Sequence, residues 1–167
     1  MRELAGKRAL VTGACSGIGL AIAELLASRG VNLLLASNNA LRLERAVRRL
    51  RDSSNVTIES MAVDVADDQA LRSLADHAVT QPLNILINNA GMLYHGPFHD
   101  MEIEQADALL SVNLQAPIRL TRYLLPELLR QKDAHIVNIA SMCGFVALHK
   151  LAVYQATKFG LLGFSES

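Results

Sequence analysis

The chain has 167 residues, 51% of them hydrophobic and 19% charged, a balance that suits one folded domain over 1–167 and excludes a disordered or fibrous class. Sixteen Lys and Arg offset sixteen Asp and Glu, so no general basic field draws the chain to nucleic acid. Five arginines between Arg42 and Arg51 form one local cluster, read as the solvated face of a helix. Met1–Arg8 is too polar for a signal peptide, and no apolar run reaches the ~20 residues that span a bilayer. Cys15 and Cys143 lack zinc or redox spacing, and the five His form no pair at metal-ligand spacing. These features read as a cytoplasmic protein with reduced thiols, no metal site and no membrane partner.

In chain order, short apolar runs alternate with longer amphipathic stretches. Arg8–Thr12 reads as a first strand, followed by a helix from Gly17 to Arg29 with Ile18, Ala21, Ile22, Leu25 and Leu26 facing inward and Gly30 ending it. Val31–Ala36 is the second strand, and its run of leucines predicts burial on both faces. A helix from Leu41 to Leu50 should bury Leu41, Val47 and Leu50. Val56–Val63 is a third strand, Asp67–Val79 a helix, and Leu83–Ile87 a fourth strand. A polar loop from Met92 to Asp100 precedes helical segments over Glu102–Leu110 and Pro117–Arg130. His135–Ala140 is the fifth strand, and Val153 onward is helical. There is no internal repeat and no linker. Strands alternating with helices in this way imply a doubly wound α/β domain with a parallel sheet.

Between the first strand and the first helix stands Thr12-Gly13-Ala14-Cys15-Ser16-Gly17-Ile18-Gly19. A pyrophosphate needs free backbone N–H groups and a helix N-terminus aimed at it. Glycines at 13, 17 and 19 permit a tight turn, close backbone approach and close helix packing. The spacing is T-G-x-x-x-G-x-G, and its position between strand and helix favours dinucleotide binding over an ordinary Gly-rich turn.

A second pattern lies near the end of the chain. Tyr154 and Lys158 are four residues apart, on one face of the last helix. A carbonyl reductase needs a proton donor at the substrate oxygen while hydride arrives from a nicotinamide. A free tyrosine titrates near pKa 10, and a nearby ammonium favours its phenolate. Tyr154 is thus the candidate acid/base and Lys158 its tuner. A Tyr and a Lys at this spacing also occur on any half-exposed helix face, so the assignment leans on context.

Taken together, these motifs resemble the short-chain dehydrogenase/reductase family, from Gly6 to Ser165. The resemblance implies a Rossmann-like fold and an NAD(P)-dependent oxidoreductase acting on a small-molecule alcohol or carbonyl. It assigns Asn88-Asn89-Ala90-Gly91 to the element that supports the sheet and lines the adenosine side, and Asp64-Val65 to adenine contact. The implied cofactor residues are Gly13, Cys15, Ser16, Gly17, Ile18, Gly19, Ser37, Asn38, Asp64, Val65, Asn89, Ala90, Gly91, Tyr154 and Lys158, with Lys158 also reaching the nicotinamide ribose. The implied catalytic set is Asn113, Ser141, Tyr154 and Lys158. Ser141, at the end of the fifth strand, has the family's spacing to Tyr154 and would hold the substrate oxygen by its hydroxyl, an electrostatic and positioning role. Asn113 would hold a water linking the lysine to solvent. In the family, the helices matching Pro117–Arg130 and Val153 onward build a four-helix dimer interface, so a homo-oligomer (dimer or tetramer) is expected.

Two features depart from the family pattern. The chain ends at Ser167, shortly after Lys158, without the sixth and seventh strands, the substrate-covering helical loop or the loop that grips the carboxamide. The expectation is a fragment lacking the last strands of the fold. The second departure is at the end of the second strand. NAD-selective sites carry Asp or Glu there, but this chain has Ala36-Ser37-Asn38-Asn39. It also lacks the Arg that NADP-selective relatives often carry in place of Asn38. NADP is therefore the preferred cofactor reading and NAD the other. Met142, Cys143, Gly144, Leu148 and His149 suggest a partly apolar substrate pocket. A non-catalytic dinucleotide-binding or regulatory protein, and a structural subunit of an oligomer, are the rival readings.

Overall fold

The computed structural model describes residues 4–167; the first three residues of the polar Met1–Arg8 segment lie outside them. Five strands, β1 (Arg8–Thr12), β2 (Asn32–Ser37), β3 (Ile58–Ala62), β4 (Ile85–Asn88) and β5 (His135–Asn138), form one sheet in the order β3-β2-β1-β4-β5. All four neighbouring pairs are parallel. This is the doubly wound, Rossmann-like arrangement the alternation of elements predicts.

The strands alternate sides, so each face of the sheet builds its own core. Leu10, Leu34 and Leu86 point to one face, where they pack with Leu71, Leu74, Leu120 and Leu124. Val11, Leu33, Leu35, Ile85 and Ile87 point to the other, against Ala23, Ala27, Leu43, Val47 and Leu50. The first cluster receives α3 (Asp68–Ala78) and α5 (Ala116–Leu128). The second receives α1 (Gly17–Ser28) and α2 (Ala40–Ser53). Burying both faces explains why β2 is a nearly continuous leucine run, whereas β3, at one edge, alternates buried and exposed residues.

Two inward faces differ from the sequence reading. In α1, Ile18 and Leu25 are 62% and 57% exposed and Ala21 is also exposed. The buried stripe is Gly19, Ala23 and Ala27. A helix that is apolar on most sides has no unique stripe. The small residues win because they let the helix axis lie close to the sheet. In α2, Leu41 is 71% exposed, and Leu43, Ala46, Val47 and Leu50 form the buried i, i+3, i+4, i+7 set. Caps mark the entries to two helices: Asn39 accepts the Arg42 amide, and Asp67 accepts those of Gln69 and Ala70.

The two helical segments expected after the polar loop are continuous. α4 (Ile103–Leu110) runs through a π-helical turn (Ser111–Gln115) directly into α5. Asn113 lies inside that turn. The last helix, α6 (Ala152–Glu166), packs beside the turn, with Gly160 facing the Leu114 side chain. No helix among the described residues is long and apolar enough to cross a membrane.

Candidate functional site

Strand order reverses between β1 and β4: one connection leads outward through β2 and β3, the next through β4 and β5. A crevice opens at the carboxyl ends of the strands where the two directions part. The structure has a cleft of about 450 Å³ there, lined by segments that follow each of β1 to β4. Gly13, Cys15 and Ser16 follow β1, and Ser37, Asn38, Asn39 and Arg42 follow β2. Val63, Asp64 and Val65 follow β3, and Asn89, Ala90, Gly91 and Met92 follow β4, with Val112 beyond.

The turn at the base of the cleft is held by hydrogen bonds between β1 and β4. Thr12 Oγ1 accepts the amides of Asn89 and Ala90. The Asn89 carboxamide donates back to the carbonyls of Thr12 and Gly13 at 2.9 and 3.2 Å. Two glycines are forced by this contact. A Cβ on Gly13 would come within 2.9 Å of the Ala90 backbone, and one on Gly19 within 2.5 Å of the Gly13 carbonyl. Gly17 is different. Its φ is +55° and nothing lies within 4 Å of its missing Cβ, so it supplies the left-handed turn beside open space at the start of α1. A backbone kept bare at the mouth of a helix N-terminus suits a diphosphate. Asn88, the first residue of its run, is buried and ties β4 to Thr121 and Asn138.

Ten of the expected cofactor residues line the cleft: Gly13, Cys15, Ser16, Ser37, Asn38, Asp64, Val65, Asn89, Ala90 and Gly91. Gly17 and Ile18 sit at the exposed start of α1, and Gly19 packs behind the turn. Tyr154 and Lys158 lie off the cleft, on α6. The sequence reading missed Asn39, Arg42, Val63, Met92 and Val112. For Arg42 a signal existed: Asn39 is a good N-cap, and starting the helix there puts Arg42 in its first turn.

The four candidate catalytic residues lie beyond Gly91, around the ends of β4 and β5. Asn113 is 1% exposed. Its carboxamide accepts from the Met92 amide at 2.8 Å and donates to the Met92 carbonyl at 2.9 Å, and also reaches Thr157 Oγ1 at 3.3 Å. It thereby pins the segment after β4 to α6. Thr157 in turn donates to the Tyr154 carbonyl at 2.6 Å. Lys158 is buried and its Nζ donates to the Ile139 carbonyl, 2.8 Å away, at the end of β5. The same Nζ stands 5.8 Å from the centre of the Tyr154 ring. Ser141 ends the extended segment after β5, and its hydroxyl accepts the Cys143 amide at 3.1 Å. Cys143 and Gly144 are buried, whereas Met142, Leu148 and His149 are exposed. Gly144 backs directly onto α6: a Cβ there would stand 3.0 Å from the Lys158 carbonyl.

Burial lowers the pKa of Lys158 below the usual lysine value, because desolvation penalises the ammonium. The folded state then releases this proton at lower pH than the unfolded chain, so the penalty is present near neutrality and fades as pH rises toward 10.5. The expected result is that Lys158→Met changes stability most favourably near neutral pH. Its advantage over the parent should shrink as pH rises to the unfolded lysine value. Thermal melts of both proteins across that range check it; a pH-independent difference would show that burial of this charge contributes nothing.

Comparison with known proteins agrees with this geometry. The short chain dehydrogenase family profile matches residues 7–167. An uncharacterised oxidoreductase of Staphylococcus saprophyticus is 34% identical over 95% of this chain and 68% of its own length. Nodulation protein G of Rhizobium meliloti is 34% identical over the whole chain and 67% of its own length. A short-chain dehydrogenase/reductase from Burkholderia phymatum, solved with NAD, superposes with a TM-score of 0.94 at 32% identity. That match covers 99% of this chain and 60% of the other. A metagenomic short-chain oxidoreductase solved with NADP gives 0.92 at 36% identity, covering 97% of this chain and 74% of the other. The chain thus spans roughly two thirds of the length of these relatives. With the sheet order, the switch-point cleft and a profile match over nearly its whole length, this chain belongs to the short-chain dehydrogenase/reductase family of oxidoreductases.

Proposed function

We propose that the cleft binds a nicotinamide dinucleotide, NADP(H) or NAD(H), and that the adjoining residues interconvert an alcohol and a ketone or aldehyde. The observation that carries this reading is the placement of Tyr154, Lys158, Ser141 and Asn113 directly beyond the Gly91–Met92 end of the switch-point cleft. Such a cofactor supplies or accepts the hydride. The cleft fits its adenosine half, with Asp64 and Val65 on one wall, Ser37 and Asn38 on another and the glycine turn at its base.

In the reducing direction, the Tyr154 hydroxyl gives its proton to the substrate oxygen as the carbonyl carbon takes up hydride. In the oxidising direction it takes the proton back. Ser141 would hold the substrate oxygen beside that hydroxyl, which positions it and stabilises charge developing on it. The Lys158 ammonium, 5.8 Å from the ring, favours the phenolate left behind. Asn113 acts on Lys158 at one remove. By joining Met92 to Thr157 it fixes α6, and so the rotamers of Tyr154 and Lys158, against the cleft. A π turn at this position is a frequent companion of functional sites, consistent with the proposed water relay to the lysine. The relatives solved with NAD and with NADP support the cofactor class, and a bulky-bulky ketone specific alcohol dehydrogenase of Comamonas testosteroni, at TM-score 0.91 and 34% identity, supports the reaction class. Self-association through α5 and α6 belongs to the same reading; these helices leave Ile118 and Phe159 exposed.

The test is direct. Saturable quenching or enhancement of NADPH or NADH fluorescence should report binding, and loss of reduced-nicotinamide absorbance with aldehydes and ketones should report turnover. Failure to bind either dinucleotide would overturn the reading. Binding without turnover across a broad carbonyl panel would instead favour a non-catalytic dinucleotide-binding protein.

A further inference from the structure

We propose that Arg42, in the first turn of α2, gives the cleft a preference for the 2′-phosphorylated dinucleotide. The proposal rests on the reading that this cleft holds the adenosine half of a nicotinamide cofactor. In such sites a carboxylate at the end of the second strand bonds the ribose hydroxyls, whereas an arginine nearby accommodates a 2′-phosphate. Here β2 ends in Ser37, Asn38 and Asn39, with no carboxylate and no cation. The polar groups at hand are already committed. The Ser37 hydroxyl, in a residue only 5% exposed, donates to Cys15 Sγ at 3.0 Å and accepts the Asn39 amide at 3.3 Å. The Asn39 carboxamide oxygen caps α2 by accepting the Arg42 amide at 2.9 Å.

The cation comes from one turn further on. Arg42 lines the cleft and is the sole cationic residue among the described residues that do so; Asp64 is the sole carboxylate. Asp64 is turned to its own loop, where its Oδ1 accepts the Ala66 amide at 3.0 Å. The neighbouring arginines of α2 are occupied elsewhere: Arg48 pairs with Glu44, Arg49 with Glu24, and Arg51 donates to the Ile58 carbonyl. Arg42 makes no ion pair with any described residue, so its guanidinium is available to an anion. It also stands where α2 presents its N-terminus, whose first amides have no helical partner and whose dipole favours negative charge. A guanidinium offers the bidentate geometry that a phosphate takes best. The buried Cys15–Ser37–Asn39 chain of hydrogen bonds holds the loop between β2 and α2 in place.

The experiment separates the phosphate from the rest of the cofactor. Affinities for 2′,5′-ADP and 5′-AMP are measured by calorimetry on the parent and on Arg42→Ala, Arg42→Lys and Arg45→Ala, the last being an exposed α2 arginine that does not line the cleft. The parent should prefer 2′,5′-ADP by about tenfold, and the preference should shrink at high salt because the site is exposed. Arg42→Ala should remove the preference by weakening 2′,5′-ADP alone. Arg42→Lys should restore part of it, and Arg45→Ala should leave it intact. An unchanged preference in Arg42→Ala, or equal weakening of both adenylates, overturns the role of Arg42 while leaving the cleft in place. If neither adenylate binds the parent, the cleft reading itself falls, and the Arg42 proposal with it.

Discussion

Replacing Tyr154 with Phe is expected to lower carbonyl reduction by ~10²–10⁴-fold, the range a positioned proton donor contributes, while dinucleotide affinity stays within a few-fold. The two effects separate because the residues involved are far apart in the fold. The cleft is lined from Gly13 to Val112 without any part of α6, so loss of one hydroxyl on that helix leaves the lining untouched. The tyrosine is also not a structural anchor. It is only half-buried, and the contacts that fix α6 here run through Thr157 and Lys158, to Asn113 and the Ile139 carbonyl. Phe fills the same ring volume and keeps the lysine beside it, 5.8 Å from the ring centre in the parent. Turnover and NADPH binding measured on the same preparation decide it. Activity within tenfold of the parent would remove Tyr154 from the proton-transfer step, and a matching loss of binding would turn it into a cofactor contact.

Much of this arrangement is legible in the sequence because it rests on local signals. Strands buried on both faces announce themselves as apolar runs, and the tight turn at Gly13–Gly19 needs residues without a Cβ. Tyr154 and Lys158 meet by helical periodicity alone. What the sequence hides are the choices that only packing makes. The α1 face is one: its large residues suggested Ile18 and Leu25, but close approach to the sheet selected Gly19, Ala23 and Ala27. The π turn is another. Ser111–Gln115 reads as the gap between two helices, yet it is one continuous run in which Asn113 is turned onto the Met92 backbone. Arg42 was hidden for a third reason: a cluster of arginines on one helix reads as solvated, and only the position of the N-cap separates the one facing the cleft from those paired outside it.

Gly19→Ala is expected to destabilise the chain by ~1–3 kcal/mol, the usual cost of forcing a methyl group into a filled site. That corresponds to a fall of about 2–12 °C in Tm for a chain of this size. The new Cβ would meet the Asn89 carboxamide and come within 2.5 Å of the Gly13 carbonyl. A side-chain end can rotate away, but a backbone carbonyl moves only with its turn. The turn is itself held by the Asn89 bonds to Thr12 and Gly13, so relief at residue 19 must distort the floor of the cleft and weaken dinucleotide binding as well. Gly17→Ala provides the contrast. Its Cβ would meet nothing within 4 Å, and its cost is the left-handed backbone alone, ~1–2 kcal/mol. The double variant Gly19→Ala/Asn89→Ala separates the two obstacles. If the carbonyl is the decisive one, removing the Asn89 side chain brings no rescue and deepens the loss, because the bonds to Thr12 and Gly13 vanish with it. Rescue by Asn89→Ala to near the parent Tm would show that the clash is only with a movable side chain, and that Gly19 is not required by the backbone of the turn.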